Sequence, residues 1–294
     1  MKYYSGTTDF FSEQPCAVTL GKFDGMHRGH QKLFQKVCSQ EGLRRTVFLI
    51  APEKNPCLLT REEKKKKLLE WGVDLAVDCP YIPEILGMVP EQFIEKVLFE
   101  RLKVRYIAVG TDFRFGYGRE GDVALLGQLQ EKYHYRLEVM EKEKYKDKVI
   151  SSTYVREAVQ DGKIELANAL LGFPYPVLGK IVHGHHLGRS LGMPTINLVP
   201  DKRKILPPPG VYFTRARISG ASYKGATNVG YKPTVDGSFL GVETYLYDLD
   251  EDLYGKEAEV SFLHYRRPEQ KFSDLDALKT QMLRDLEAGR EFFA

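Results

Sequence analysis

Two histidines, His27 and His30, lie three residues apart in the segment GKFDGMHRGH (21–30), where an apolar run changes into a helical pattern. Residues at this spacing share one face of a helix. A helix N-terminus offers free backbone N–H groups to phosphate, and imidazoles add donors and positive charge. The segment therefore predicts a phosphate-binding turn, in which Gly21 ends a strand and Gly25 permits a tight turn.

Two other interpretations of this segment stay open at this point. A helix cap with two surface histidines and no ligand would also explain this sequence. A metal site is less favoured, because HxxH supplies two ligands and no third His or Cys is obviously placed. The lysine of a GxxxxGK[ST] loop is missing, so the segment is not a P-loop.

A second segment, ISSTYVREAVQDG (150–162), opens a later helix with hydroxyl side chains. Ser151, Ser152 and Thr153 can cap that helix, and Arg156 lies one turn further on. An ordinary N-cap explains the hydroxyls alone. The functional interpretation is a second phosphate clamp.

A third segment, VGTDFRFGYGREGD (109–122), follows a predicted strand. Asp112 and Phe113 lie where a loop can hydrogen-bond to a flat ring and stack on it. Core packing of Phe113 and Phe115 is the simpler interpretation, and both can hold together.

The other informative stretch is GKIVHGHHLGRSLGMPTINL (179–198). Its glycines predict a flap whose backbone approaches a ligand closely, although simple turns would also use them. These glycines are Gly179, Gly184, Gly188 and Gly192. Thr195 and Asn197 are two apart on an extended segment, so they face the same way and offer hard oxygen ligands to Mg²⁺. The three histidines of the stretch are better explained as solvated or phosphate-facing than as metal ligands.

An acidic residue, Glu243, lies among strand-forming residues in GVETYLYD (241–248). If its side chain faces a cavity, it can act as general base for a hydroxyl. A solvent-facing strand residue is the plainer alternative.

The elements that would position these residues change character along the chain. In the first half, apolar runs alternate with helical patterns, which predicts a parallel sheet with helices on both faces. Ligands bind such sheets at the carboxyl ends of the strands. The predicted strands cover 16–21, 44–52, 73–80, 104–110 and 135–141, and the predicted helices cover 28–42, 60–72 and 89–103. Thr60 is the expected N-cap of the second helix, and the lysine run 64–67 is expected to be a solvated face.

The second half alternates apolar and polar residues with period two over 210–218, 242–249 and 258–265. This pattern predicts an antiparallel barrel or sandwich. A closing helix over 273–293 has Ser273 and Asp276 arranged as a capping box. We expect two domains, residues 1–173 and 174–294.

Composition narrows the class of protein. The 294 residues carry a net charge of +3, too small to indicate nucleic acid or an anionic membrane as partner. No apolar run has the length of a membrane span or of a signal-peptide core. The four cysteines show no CxxC spacing, which favours a reduced, cytoplasmic location.

Taken in order, these stretches resemble the bacterial bifunctional riboflavin kinase/FAD synthetase family. GKFDGMHRGH, VGTDFRFG and ISSTYVREAVQDGK resemble its FMN adenylyltransferase module. GKIVHGHHLGRSLGMPTINL, NVGYKPTV and ETYLYDLDEDLYG resemble its riboflavin kinase module. The resemblance covers essentially the whole chain. It implies a Rossmann-like nucleotidyltransferase domain followed by a small antiparallel β-barrel kinase domain with a terminal helix.

For the kinase half, the resemblance implies transfer of the ATP γ-phosphate to the ribityl 5′-hydroxyl of riboflavin. Thr195 and Asn197 would hold Mg²⁺ and phosphates, and Glu243 would take the hydroxyl proton. The flap glycines would close over ATP.

For the other half, the resemblance implies that AMP from a second ATP is joined to FMN, releasing pyrophosphate and forming FAD. The residues implied as catalytic or phosphate-binding are His27, His30, Arg156, Ser152, Thr153, Gly21, Phe23, Asp24 and Gly25. Asp112 and Phe113 would hold the flavin. Flavins and ATP are the expected partners, with neither nucleic acid nor membrane, and the chain is expected to be a monomer or a weak homo-oligomer.

Two departures from the family pattern concern the adenylyltransferase half. Glu53 and Lys54 stand where the family usually has a His-Pro pair, and Tyr154 stands where a basic residue is common. They motivate the alternative of a monofunctional riboflavin kinase. Two further alternatives are a different nucleotidyltransferase with an RNA-binding barrel and a flavin-responsive regulator without turnover.

Overall fold

The computed structural model describes residues 1–50, 56–79, 82–183, 192–234, 237–249, 251 and 253–294. Its backbone divides into two compact units. The first comprises Met1–Asn55 and Lys64–Ser152, and the second comprises Pro56–Glu63 and Thr153–Ala294. The predicted boundary after residue 173 falls inside the second structural unit, and it stays a prediction about functional modules.

The described residues of the first unit form a parallel sheet. Its strands are β1 (Lys2–Ser5), β2 (Cys16–Gly21), β3 (Arg44–Ile50), β4 (Leu75–Cys79), β5 (Val104–Gly110) and β6 (Arg136–Met140). Their spatial order is β1-β4-β3-β2-β5-β6, and every neighbouring pair is parallel. The chain reverses its direction of winding between β2 and β5, so the crevice beside their carboxyl ends is the expected ligand site of such a sheet.

Helices and short elements connect these strands. They are α1 (Arg28–Cys38), α2 (Arg61–Glu70), α3 (Pro83–Leu86), α4 (Pro90–Gln92), α5 (Val123–Gln128), α6 (Gln130–Tyr133) and the hairpin of β7 (Lys144–Tyr145) and β8 (Lys148–Val149). The third predicted helix begins as α4 at Pro90, a favoured first helical residue, and continues as a π-helix over Phe93–Arg101. α1 ends four residues before the predicted end, at Cys38.

The core of the first unit lies on the strands that the sequence predicts. β2, β3, β4 and β5 carry runs of side chains with almost no exposed surface, such as Val18, Phe48, Val77 and Ile107. Strands covered on both faces read as continuous apolar runs, which is why these were predictable. β1 was not predicted, because KYYS is a short, half-exposed edge strand.

The second unit is built on a closed antiparallel barrel. Its strands are β9 (Tyr175–Val182), β10 (Thr195–Leu198), β11 (Gly210–Ile218), β12 (Ala221–Thr234), β13 (Gly237–Leu246) and β14 (Glu257–Pro268). The order around the barrel is β10-β13-β12-β11-β14-β9. Thr214, Thr227 and Thr244 are fully buried and joined by hydroxyl hydrogen bonds of 2.8 Å. Side chains of adjacent strand residues point to opposite faces, so Glu243 lies on the other face from Thr244.

Three helices accompany the barrel among the residues of this part of the chain that the structure describes: α7 (Ser152–Gln160), α8 (Ile164–Leu171) and α9 (Leu275–Phe293). The predicted capping box of α9 is wrong by one residue. Asp274 is the N-cap, and its carboxylate accepts a hydrogen bond of 2.8 Å from the Ala277 N–H. Ser273 instead donates to the Asp274 carboxylate at 2.7 Å.

α9 is anchored to the barrel near its C-terminal end. The Tyr247 hydroxyl donates to the Leu286 carbonyl at 2.8 Å. A Cβ at Gly289 would lie only 2.0 Å from that hydroxyl oxygen, so glycine is required for this approach. The contact fixes the face of α9 that lies over the outer side of the barrel.

A buried ion pair ties the segment 56–63 to the barrel inside the same unit. Lys204 Nζ lies 2.7 Å from Glu63 Oε2, and each side chain is 1% exposed. Glu63 also accepts from the N–H groups of Thr60 and Leu178, at 2.8 and 2.9 Å. The Thr60 hydroxyl accepts a hydrogen bond from the Glu63 N–H. This contact confirms Thr60 as the N-cap of α2.

Within the part of the chain that the structure describes, no helix is long and apolar enough to cross a membrane.

Candidate active sites

The turn after β2 opens α1 and carries the two histidines of the first motif. His27 is the N-cap residue of α1, and its carbonyl accepts from the N–H groups of His30 and Gln31. The left-handed backbone positions of the turn are Phe23 (φ 45°) and Met26 (φ 49°). Non-glycine residues rarely adopt this conformation, and such strain is concentrated at functional sites.

The two imidazoles stack on each other. Their ring centroids are 3.6 Å apart, and the ring planes differ by 18°. A Cβ at Gly29 would lie 3.3 Å from Cε1 and Nδ1 of His27, so the glycine between the histidines leaves room for the stack. The HxGH spacing therefore has a structural reason beyond helix periodicity.

Both imidazoles are neutral in the free protein. Burial lowers the pKa of His27 to about 4. Burial also lowers the pKa of His30 well below its usual value, and the charges of His27 and Lys64 oppose its protonation further. The Nδ1 atoms of both rings are buried and have no hydrogen-bond partner. Buried polar atoms are normally hydrogen-bonded, so this unsatisfied pair of nitrogens marks the turn as a candidate functional site.

Lys64 corrects the prediction that the lysine run 64–67 is a solvated face. Its side chain is buried, and Nζ lies 3.5 Å from the carbonyl of Lys22 in the strand-to-helix turn. The ammonium thus contributes positive charge beside the two neutral histidines.

The ring of Phe23 packs inside the turn, and the predicted role of this residue in nucleotide binding stays a prediction. Its ring is 2% exposed and packs edge-on against His30, with ring centroids 5.0 Å apart. A Cβ at Gly21 would lie 3.0 Å from this ring, so Gly21 makes space for it. The contact with Phe23 holds the His30 ring in place. Asp24 is partly exposed in the same turn.

The third motif follows β5, the strand adjacent to β2. Asp112 lies just beyond the end of β5, is largely exposed and pairs with Lys142 at 2.8 Å. The Lys142 ammonium lowers the pKa of the Asp112 carboxyl. Phe113 stacks on Phe115 with centroids 5.5 Å apart, so the core-packing interpretation holds, and its half-exposed ring leaves the flavin role a prediction.

The hydroxyl motif lies at the start of α7. Ser152 is half-buried, Thr153 is exposed, and Arg156 donates to the Pro56 carbonyl at 2.9 Å. Ser152 closes the first unit, whereas Thr153 and Arg156 belong to the second. Their role as a second phosphate clamp stays a prediction. Tyr154 is half-buried in the same turn.

The second site is on the outer face of the barrel, on β10 and β13. Thr195 Oγ1 donates to Glu243 Oε1 at 2.6 Å, and Asn197 is the cross-strand partner of Glu243. Directly paired residues of neighbouring strands share a face. Three hard oxygen donors are thus collected on one surface, and this donor set fits Mg²⁺ with phosphate oxygens.

Glu243 faces a cavity, as its predicted role as a base requires. The cavity has a volume of about 440 Å³ and is walled by the barrel on one side and α9 on the other. Apolar side chains cover much of the wall, including Val211, Leu278 and Met282. At the same wall, Lys232 Nζ contacts Glu243 Oε2.

A second charged pair closes another part of the cavity wall. The guanidinium of Arg267 donates to the Asp285 carboxylate from Nε at 3.0 Å and from Nη2 at 2.6 Å. Asp285 is only 4% exposed, so the pair is shielded from solvent and holds α9 against β14.

The flap glycines divide between described and undescribed residues. Gly179 lies in β9, where a Cβ would be 3.3 Å from the Val199 carbonyl, and Gly192 has a φ of 79°. Gly184 and Gly188 lie outside the described residues, as do Glu53 and Lys54.

Three residues of these sites were missed from the sequence: Gly29, Lys64 and Lys232. The glycine inside HxGH was a readable signal. The two lysines carried none, because a single lysine in a helix or strand looks like a surface residue until its neighbours in space are known. In the described part of the chain, no cluster of three or more His, Cys, Asp or Glu side chains is arranged for a metal.

Comparison with known proteins finds two family models along the chain. Residues 10–154 match the FAD synthetase model, and residues 171–293 match the riboflavin kinase model. A relative from Escherichia coli K12, a bifunctional riboflavin kinase/FMN adenylyltransferase, is 38% identical over 96% of this chain and 94% of its own. Proteins with the same description from Haemophilus influenzae and Listeria monocytogenes are 34% and 32% identical, over 95% and 98% of this chain and 95% and 96% of theirs.

Among solved structures, a crystal structure described as a macrolide-efflux protein from Streptococcus pneumoniae has the same fold. It superposes with a TM-score of 0.82, at 28% identity, over 98% of both chains. The description of that protein differs from those of the sequence relatives, and the likeness supports the architecture.

Proposed function

The chain belongs to the family of bifunctional riboflavin kinase/FMN adenylyltransferases, and from this premise we propose how its residues divide the two reactions. The enzyme phosphorylates riboflavin to FMN with ATP, and adenylylates FMN to FAD with a second ATP. A monofunctional kinase is not favoured, because both family models match and the relatives are described as bifunctional over nearly their full length.

In the barrel, Glu243 acts as general base. It takes the proton of the ribityl 5′-hydroxyl while that oxygen forms a bond to the γ-phosphorus, and ADP leaves with the electron pair of the broken bond. Thr195 and Asn197 would hold Mg²⁺, which when bound neutralises charge on the ATP phosphates. The contact of 2.6 Å between Thr195 Oγ1 and Glu243 Oε1 supports this assignment, because a base and a metal ligand of one reaction must lie close together.

The cavity beside Glu243 takes the riboflavin ring. An apolar wall and a few polar groups suit a flat, largely apolar ring with polar edges. Positioning the hydroxyl against the γ-phosphate accounts for most of the catalysis in phosphoryl transfer.

In the first unit, the turn of His27 and His30 serves FMN adenylylation. An oxygen of the FMN phosphate forms a bond to the α-phosphorus of ATP, and pyrophosphate leaves. Neutral imidazoles donate hydrogen bonds to the developing charge, and a bound polyphosphate favours their protonated form. The family resemblance adds Ser152, Thr153 and Arg156 as phosphate ligands.

Asp112 and Phe113 hold the flavin of the same reaction. They follow β5, whose carboxyl end is next to that of β2, which is the expected ligand position in this sheet. The protein works in the cytoplasm on flavins and ATP alone, as a monomer or a weak homo-oligomer.

A product assay tests this division. The chain is incubated with riboflavin, ATP and Mg²⁺, and riboflavin, FMN and FAD are resolved over time. Glu243→Gln is expected to abolish riboflavin phosphorylation and to leave adenylylation of supplied FMN intact. The double variant His27→Ala, His30→Ala is expected to do the reverse. Loss of both activities in either variant would contradict the assignment.

A further inference from the structure

Both carboxylate oxygens of Glu243 are occupied in the structure. Thr195 Oγ1 donates to Oε1 at 2.6 Å, and the Lys232 ammonium contacts Oε2. The Lys232 and Glu243 side chains are 22% and 24% exposed, so about three quarters of each is shielded. A charge-assisted hydrogen bond at such a position is stronger than one on the open surface.

The path of the Lys232 side chain is built into the barrel. Lys232 lies on β12, opposite Phe239 of β13. Its stem passes over Gly241, where a Cβ would lie 2.8 Å from Lys232 Cγ and 3.6 Å from Cε. Gly241 precedes Glu243 by two residues, so both face the same way along the strand. The missing side chain at 241 therefore opens the groove that leads the lysine to the carboxylate.

We propose that Lys232 is a positioning residue for the riboflavin kinase reaction, acting through Glu243. By binding Oε2 it fixes the plane of the carboxylate and directs Oε1 to the hydroxyl of riboflavin. Each carboxylate oxygen has two lone pairs, so a single donor does not block either of them, but the ammonium at Oε2 lowers the basicity of that oxygen more than the neutral Thr195 hydroxyl lowers the basicity of Oε1. The oxygen beside Thr195 is then the proton acceptor. This inference rests on the proposed role of Glu243 as base.

The proton transfer balances within this arrangement. The hydroxyl proton of riboflavin moves to Oε1 of Glu243 as the hydroxyl oxygen bonds to the γ-phosphorus. Lys232 gains and loses no proton, and its contact with Oε2 persists. Loss of the lysine leaves the carboxylate held by Thr195 alone and less well oriented, which lowers the rate of the chemical step rather than the binding of either substrate.

The first test compares Lys232→Met and Lys232→Arg with Lys202→Met, a control at an exposed lysine of the same unit. We expect Lys232→Met to lower kcat of riboflavin phosphorylation by about 10- to 100-fold, the range for loss of orientation of a reacting group. The KM values for riboflavin and ATP stay within about twofold, and Lys232→Arg recovers most of kcat. A rise in the KM for ATP with unchanged kcat would overturn the proposal, because it would make Lys232 a phosphate ligand.

The decisive test repeats Lys232→Met in the Glu243→Gln background, with long incubations that detect residual FMN. A residue that acts only through the carboxylate causes no further loss once the carboxylate is gone. An equal fold-loss in both backgrounds would overturn the proposal. FMN adenylylation by the same preparations, measured with supplied FMN, is expected to be unchanged and reports that the chain is folded.

These outcomes separate the inference from the proposed function. If Glu243→Gln phosphorylates riboflavin at the wild-type rate, the role of Glu243 fails. If Glu243→Gln is inactive and Lys232→Met is fully active, only the inference about Lys232 fails. Gly241→Ala offers a variant that keeps both charges. The Cβ of alanine at position 241 would crowd Lys232 Cγ, so we expect Gly241→Ala to lower kcat. If adding Lys232→Met to Gly241→Ala lowers kcat no further, the role of Gly241 in guiding the lysine is supported.

Discussion

The two stacked histidines make the stability of the first unit depend on pH. His27 has a pKa of about 4 in the folded protein and an ordinary value of 6.5 when exposed, because the folded state buries it. The unfolded chain therefore binds more protons, and the contribution of His27 to stability is lost as the pH falls from about 6.5 toward 4. Between pH 7 and pH 5 this loss is about 2 kcal/mol. His30, whose pKa is also lowered, adds a loss of the same sign.

The single tryptophan gives a local reporter for this measurement. Trp71 belongs to the first unit and packs on Phe34, with ring centroids 5.4 Å apart. Phe34 packs on Phe23, and Phe23 on His30, at 4.9 and 5.0 Å. Urea unfolding followed by Trp71 fluorescence at pH 7 and at pH 5 is therefore expected to report the free energy of unfolding of the unit that contains the histidines.

Carboxylates with lowered pKa values also lose stability in acid, so the wild-type change alone is not diagnostic. His27→Asn keeps a hydrogen-bonding side chain of similar polarity and removes the titration. We expect the loss of stability between pH 7 and pH 5 to be about 2 kcal/mol smaller in this variant than in the wild type. An identical loss in both proteins would show that His27 is not buried in a neutral form, and would refute the electrostatic description of the site.

Three further predictions concern single side chains whose contacts are defined. Gly29→Ala is expected to spread the stacked imidazoles and to lower the rate of FMN adenylylation several-fold. It should not lower the free energy of unfolding, because alanine favours a helix over glycine by about 1 kcal/mol. An unchanged rate at saturating substrates would contradict this prediction. Lys204→Met leaves Glu63 buried without its cation and is expected to lower the free energy of unfolding of the second unit by about 3–5 kcal/mol, measured by far-ultraviolet circular dichroism in urea. Lys202→Met is the control and should change it by less than about 0.5 kcal/mol. Gly289→Ala would place a Cβ 2.0 Å from a tyrosine hydroxyl and push α9 from the barrel, so the KM for riboflavin should rise while that for ATP does not.

Much of the fold follows from patterns of apolar residues. β2 to β6 lie where continuous apolar runs predicted them, and the C-terminal barrel follows the period-two segments. β12 was missed, although it is the longest of the barrel strands that the structure describes. Its sequence, ASYKGATNVGYKPT, contains three features that weaken a strand pattern: two glycines and a proline. One of these glycines, Gly225, is needed where β12 approaches β13 and β11 closely, a requirement that only the paired strands make visible.

The sequence predicts the candidate sites as far as residue type and spacing indicate a chemical role. Glu243 and Thr195 are in contact with each other, and their catalytic and metal-binding roles stay predictions. Phe23 was assigned to nucleotide binding because it stands in the motif, and that role stays a prediction. The packing of its apolar ring on His30, away from water, was not predicted. Lys64 was assigned to solvent because it stands in a run of lysines, yet it turns inward against the motif. Motif membership identified the neighbourhood but not the direction of each side chain.

The two sites differ in the charge state of their key side chains before any substrate binds. This difference bears on how each reaction is controlled. At the histidine turn, burial disfavours the protonated form of both imidazoles, so the rings gain positive charge when an anion is present to stabilise it. At the barrel, Lys232 and Glu243 are already paired, and the carboxylate is held in one orientation. In adenylylation the site must stabilise a polyphosphate leaving group. Imidazoles that become protonated when the ligand binds match their charge to that ligand. Riboflavin phosphorylation removes a proton from a weakly acidic hydroxyl, and for that step a base must be aimed before the substrate arrives. The difference in electrostatics between the sites thus follows from the difference between stabilising an anion and accepting a proton.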